Sequence, residues 1–198
     1  MNASSIVWIY VFRFLSLDDL ARAAGTCFAW WSTIKEFQLF EAQEWENLDL
    51  SGSGSLYRFI PRRVFRDLTS LNLSSTKVTN RHFLQMIRTA IFLETLDISY
   101  CPGISQVSIF RAKENLGDLL HVAISGNRHF TILAVACLCS CSNIATIQAH
   151  GLQLHADELL FLRKTFENVE RGDVLLETDD DGNQMTLVNA FEEELFQE

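Results

Sequence analysis

Three clusters in the chain hold side chains whose types could do chemistry. Cys137-x-Cys139-x-Cys141, with His150 and His155 downstream, offers soft ligands to zinc. Asp179-Asp180-Asp181-Gly182-Asn183 offers oxygen ligands to calcium. Arg58, Arg62, Arg63 and Arg66, in YRFIPRRVFRD around Pro61, offer guanidinium forks to a phosphate or to the chain's own acidic tail. Spacing argues against the first two. Structural zinc prefers cysteines separated by about two to four residues, and Cys-x-Cys is a poor tetrahedral chelate. An EF-type loop has glycine sixth and a bidentate Glu twelfth. Placing Gly182 sixth puts Val188 twelfth, where no ligand is possible. No metal is expected at either place. The arginines read as a solvated convex surface, with anion capture as the alternative. Cys27 reads as a small buried hydrophobe rather than a nucleophile. No Walker loop, nucleophile elbow, HExxH or dinucleotide glycine fingerprint occurs. Neither catalysis nor a cofactor is expected.

The elements that must position these groups are set by a repeat. LTSLNLSS from Leu68, LETLDISYC from Leu93, LLHVAISGN from Leu119 and NIATIQAHG from Asn143 share an aliphatic–x–x–aliphatic–x–aliphatic core, relaxed in the last. WENLDLSG from Trp45 is an earlier copy. The central aliphatics are Leu48, Leu71, Leu96, Val122 and Ile147, spaced 23, 25, 26 and 25 residues apart. Those intervals are the period of leucine-rich repeats, in which one short strand and one helix make each unit. The expected fold is therefore α/β: a leucine-rich-repeat solenoid of about five parallel strands with outer helices. The outer layer is expected in Arg81–Ile91, Ile104–Leu116, Phe130–Leu138 and Ala156–Phe166. Strand alternation turns Asn47, Asp49, Ser51, Ser70, Asn72, Ser74, Thr95, Asp97 and Ser99 outward on the concave face. It does the same for His121, Ala123, Ser125, Thr146, Gln148 and His150. Of these, Asp49, Asn72, Asp97, His121, Gln148 and His150 are the expected partner-binding positions. The face has few aromatic anchors, which tight interfaces usually need, so loops or the tail compete with it as the capture surface.

Charge divides the chain unevenly. Of 198 residues, 25 are acidic and 16 basic, for a net charge of −9. Residues 167–198 hold eleven of the acids and one base, leaving 1–166 with 14 acids and 15 bases. The acidity thus belongs to the end of the chain. A net acidic balance disfavours nucleic acid as a partner, and 48% hydrophobic content excludes wholesale disorder. The longest apolar stretch, Ile6 to Leu15, is shorter than the about 20 residues a bilayer span needs. No base precedes it and Asp18 and Asp19 follow it, against a cleaved secretory signal. Five cysteines, an odd number, suit a reducing compartment, cytoplasmic or nuclear. Val174–Leu176 and Met185–Val188 flank the Asp-Gly turn, so 168–190 is expected to be a hairpin cap.

Residues 6–45 lack the repeat and are aromatic and compact, with apolar-periodic pieces broken at Ser16 and Gly25. Ser16, followed by Leu17-Asp18-Asp19-Leu20, reads as a helix N-cap. Val11-Phe12-x-Phe14-Leu15-x-Leu17-x-Asp19-Leu20, Ala23-Ala24-x-x-Cys27-x-x-Trp30 and Leu39-Phe40 together resemble the F-box. The motif's usual opening Leu-Pro is replaced by Ala3-Ser4. Followed by the repeats, with Tyr100-Cys101-Pro102-Gly103-Ile104 and Cys141-x-Asn143-Ile144 resembling that group's cysteine-containing repeats, the layout is similar to F-box/leucine-rich-repeat proteins over about residues 5–165. The resemblance implies a substrate-recognition subunit of an SCF-type cullin–RING ubiquitin ligase, docking on a Skp-family adaptor. It implies Phe12, Leu15, Leu17, Leu20, Cys27 and Trp30 as the adaptor-facing residues.

The expected division is 1–44, a small three-helix F-box-like module; 45–167, leucine-rich repeats; and 168–198, C-terminal hairpin cap and acidic tail. The expected function is a non-enzymatic adaptor joining an unidentified protein substrate to the ligase, with no membrane or nucleic-acid partner. The alternative is a non-catalytic structural subunit of a large assembly, and a third reading is an acidic-tailed inhibitor or chaperone for a basic partner.

Overall fold

The computed structural model describes residues 11–12, 14–36, 39, 46–152, 174–178 and 185–189. Two helices, α1 (Leu17–Thr26) and α2 (Phe28–Glu36), precede the first strand. Five three-residue strands follow: β1 (Asn47–Asp49), β2 (Ser70–Asn72), β3 (Thr95–Asp97), β4 (His121–Ala123) and β5 (Thr146–Gln148). They pair in parallel and in sequence order, with Leu48, Leu71, Leu96, Val122 and Ile147 directly abreast. The aliphatics aligned by the repeat are thus neighbours in space. All five are buried, as are Leu50, Leu73, Ile98, Ile124 and Ala149 two positions on. The fold is α/β, with a five-strand parallel sheet and several helices.

Between strands the chain crosses the outer layer. Two 3₁₀ turns, Leu56–Phe59 and Arg62–Asp67, fill the first crossing. The next three carry α3 (Asn80–Ile87), α4 (Gln106–Ala112) and α5 (Ile132–Cys139). The first 3₁₀ turn is tight against α1. A Cβ on Gly25 would fall 2.2 Å from Cδ2 of Leu56. Leu20, Ala21 and Ala24 of α1 lie in the same apolar core as Leu48 and Leu50, so the helices share their core with the sheet. Beyond β5, strands β6 (Val174–Thr178) and β7 (Met185–Asn189) form an antiparallel hairpin, and β7 pairs antiparallel with β5. The expected Asp-Gly turn and the Ala156–Phe166 helix lie outside the described residues.

The chain leaves each strand by one recurrent turn. Four residues after each central aliphatic stands a residue with positive φ: Gly52, Ser75, Tyr100, Gly126 and Gly151. Glycine enters that region without penalty, whereas Ser75 and Tyr100 carry strain. From the first four of these residues, the backbone N–H donates across to the next unit: Gly52 to Ser74, Ser75 to Ser99, Tyr100 to Ser125 and Gly126 to His150, each at 2.8 Å. The ladder therefore continues past the strands and into the turns.

Alternation stops at that bend, which corrects one expectation. Ser99 and Ser125 do not point outward; both are 6% exposed. Their neighbours explain why. In the first three units the side chains of Asp49, Asn72 and Asp97 accept the N–H two residues on, from Ser51, Ser74 and Ser99, at 2.8–2.9 Å. Ala123 has no such acceptor, and Gln148 is one methylene longer. There the serine of the preceding unit substitutes. Ser99 Oγ accepts from Ser125 N, and Ser125 Oγ from His150 N, both at 3.1 Å. The same relay occurs one position beyond the turn. Ser53, Thr76 and Asn127 each donate to the carbonyl three residues back, whereas Cys101 donates to Leu73 of the preceding unit. Asn127 Nδ2 then also serves the Ile98 carbonyl that Cys101 leaves, at 2.9 Å.

Ser99→Ala would strand a buried N–H at Ser125, and is expected to cost about 1–3 kcal/mol in urea unfolding. Ser51→Ala is expected to change stability by less than about 0.5 kcal/mol, because the corresponding N–H of the next unit, at Ser74, is held by Asn72. Equal effects of the two would refute the relay.

Candidate functional site

Among the described residues, the helical module presents the most exposed aromatic side chains. Ser16 caps α1: its hydroxyl accepts from Asp19 N at 3.2 Å and donates to Asp19 Oδ2 at 3.0 Å. Asp19 also pairs with Arg22 at 3.2 Å. From this start, α1 turns Leu20, Ala21 and Ala24 onto the sheet. Phe12 is buried too, with the Trp30 ring edge-on at 5.5 Å between centroids. Outside this packing stand Phe14, 88% exposed, and Phe28, 79% exposed, with Val11 at 44%. Phe28 leans on Trp31 with ring centroids 5.9 Å apart, and Lys35 Nζ lies 4.8 Å over the Trp31 ring. Two nearly bare phenylalanines gain little from the fold that holds them, and exposed apolar surface of this kind marks interaction sites.

Several sequence expectations need correction here. Phe12 and Leu20 serve the core rather than an outer face, because they close the apolar end of the sheet. Leu15 and Trp30 are half-buried against that core. Cys27 is exposed, not buried, since it sits at the extended junction between α1 and α2. The side chain of Leu17 lies outside the described residues. Phe14 and Phe28 were missed as outer residues. Helical periodicity held the signal for Phe28. Trp30 and Ile34 lie four apart on one face of α2, and Phe28, Trp31 and Lys35 fall on the other.

A comparison with protein-family models finds no match, and a comparison with curated proteins finds none either.

The strip of strand residues expected to bind a partner is polar and partly committed to its own turns. Asp49 is exposed, and Asn72 and Asp97 are half-buried, each with an oxygen on the backbone N–H already described. His121 Nδ1 lies 2.6 Å from Thr146 Oγ1, Gln148 is exposed, and His150 is half-buried. Smaller apolar exposure occurs along the outer layer, at Phe92, Phe110 and Leu133. Among the described residues no group of three His, Cys, Asp or Glu side chains is placed to hold a metal. Cys137 and Cys139 lie on α5, and Cys141 Sγ points to the Cys137 carbonyl at 3.9 Å. No helix among the described residues is long and apolar enough to cross a membrane.

The thiols differ in access. Burial pushes the pKa of Cys101 up, as it does for Cys137, Cys139 and Cys141, which keeps these groups as thiols. Maleimide labelling of the native protein is expected to modify Cys27 first and to reach Cys101 only after denaturation. Labelling of Cys101 as fast as Cys27 would contradict this placement.

Proposed function

We propose that the protein is a non-enzymatic adaptor of the F-box/leucine-rich-repeat kind. Its amino-terminal helices would dock on a Skp-family adaptor of a cullin–RING ligase, and its solenoid would carry the substrate protein. The observation that carries this reading is the exposure of Phe14 and Phe28 on a helical module whose core runs into the repeats. That supports a docking surface rigidly joined to a second surface. In-register strands at the period of the sequence repeat support the solenoid half. The resemblance of residues 11–40 to the F-box supports the choice of adaptor. The mechanism is then proximity: holding a target's lysine near the charged conjugating enzyme raises its effective concentration, while the chemistry occurs on other subunits.

The burial pattern changes which residues should matter. Phe12 and Leu20 hold the module together, so their replacement would disturb folding. Phe14→Ala/Phe28→Ala leaves the core intact and removes exposed aromatic area. In a pull-down with a purified Skp-type adaptor, that double variant is expected to lose binding by about tenfold or more, with an unchanged melting temperature. Wild-type protein that ignores the adaptor would overturn the ligase role and leave the structural-subunit alternative.

A further inference from the structure

The arginine cluster singled out in the sequence is split by the fold. Arg58 and Arg62 line an open groove of about 640 Å³ between the two 3₁₀ turns and α3, whereas Arg63 and Arg66 are not part of its lining. Tyr57, Phe65 and Met86 are buried side chains whose edges form its apolar floor. Tyr57 is anchored there. Its hydroxyl donates to the Lys77 carbonyl at 3.2 Å, and its ring lies 5.1 Å from that of His82.

The rim is basic. The Arg58 guanidinium stands 5.8 Å from the Tyr57 ring centre, and both Arg58 and Arg62 are exposed. Among the described residues no carboxylate lines the groove. Among the described residues the one ion pair is Arg22–Asp19, so neither guanidinium has an acidic partner there. His82 holds Thr79 Oγ1 at 2.8 Å from Nδ1, and burial followed by the charges of Arg58 and Arg81 lowers its pKa. The volume falls in the about 300–1,000 Å³ range of ligand sites, and the groove is open to solvent, which leaves room for a chain segment to lie across it.

We propose that this groove binds an acidic linear segment of a partner protein that also carries an aromatic or aliphatic side chain. Charge complementarity sets the sign of the partner: its carboxylates meet the two guanidinium forks. Exposed ion pairs alone are worth little, so the apolar floor must take a side chain for the segment to stay. This site is separate from the helical docking surface and stands or falls independently of it.

Fluorescence anisotropy on the full chain tests it, with a labelled Glu-Glu-Phe-Glu-Glu peptide as probe. The controls are Lys-Lys-Phe-Lys-Lys and Glu-Glu-Gly-Glu-Glu. The acidic aromatic peptide alone is expected to bind, more weakly as salt rises. Arg58→Glu/Arg62→Glu is expected to weaken it by about tenfold or more, and Arg88→Glu, outside the lining, to leave it unchanged. Melting temperatures check that each variant is folded, and Arg58→Gln/Arg62→Gln replaces the reversal if that unfolds. Equal binding of all three peptides, or undiminished binding by the arginine variants, overturns the proposal. So does displacement by inorganic phosphate at an ionic strength where chloride leaves the probe bound, which would make it a simple anion site. A probe that binds only after removal of residues 190–198 overturns it too, because the occupant would then be the chain's own acidic end.

Discussion

A strand of three residues cannot hold itself in place, and in this protein every strand of the parallel sheet is that short. What makes them permanent is register. Each central aliphatic lies abreast of the next, and the left-handed residue four positions later extends the backbone ladder into the turn. A unit shifted by one residue would expose its Leu or Ile and misplace its turn at once. Stability is therefore shared between neighbours, as the serine and asparagine relays show most plainly. Where one unit lacks an acceptor or a donor, the adjacent unit provides it. This interdependence also extends to the edges. The helices close the β1 side through Gly25 and Leu20, and the β6–β7 hairpin pairs against β5 on the other.

Much of this was legible in the sequence because it is periodic. The spacing of Leu48, Leu71, Leu96, Val122 and Ile147 located five strands and their register, and the Asp-Gly pattern located the hairpin. The outer segments were found to within a few residues: α4 lies within the span expected for it, and α3 and α5 each overrun theirs by one residue. Simple alternation failed at Ser99 and Ser125, because it assumes the strand continues. The left-handed residue just after them ends it, and glycine marks that position in only three of the five units. Tyr100 conceals the turn in a residue that rarely adopts it.

The site was less legible than the fold. A motif match identifies which residues are typical of a family, not which of them face outward in one chain. Phe12 and Leu20 match the motif and are consumed by the core, while Phe14 and Phe28 stay bare. Burial depends on what the helices meet, namely Leu56 and the first strand, and no single-segment pattern contains that information. The arginine groove has the same origin. Its parts are a 3₁₀ pair and a helix from different units, so only stacking brings Arg58 and Arg62 beside His82.

The protein then offers three chemically distinct surfaces on one continuous core: exposed aromatics on the helices, a polar strip on the sheet, and a basic-rimmed apolar groove on the outer layer. None requires a catalytic group, and a shared core would keep their relative positions fixed, as an adaptor needs. Hydrogen exchange on the full chain, with and without a purified Skp-type adaptor, tests this most directly. The account predicts new protection within residues 11–36 and unchanged exchange in the strands between residues 46 and 152. Absence of protection in 11–36, or protection confined to the sheet, would contradict it.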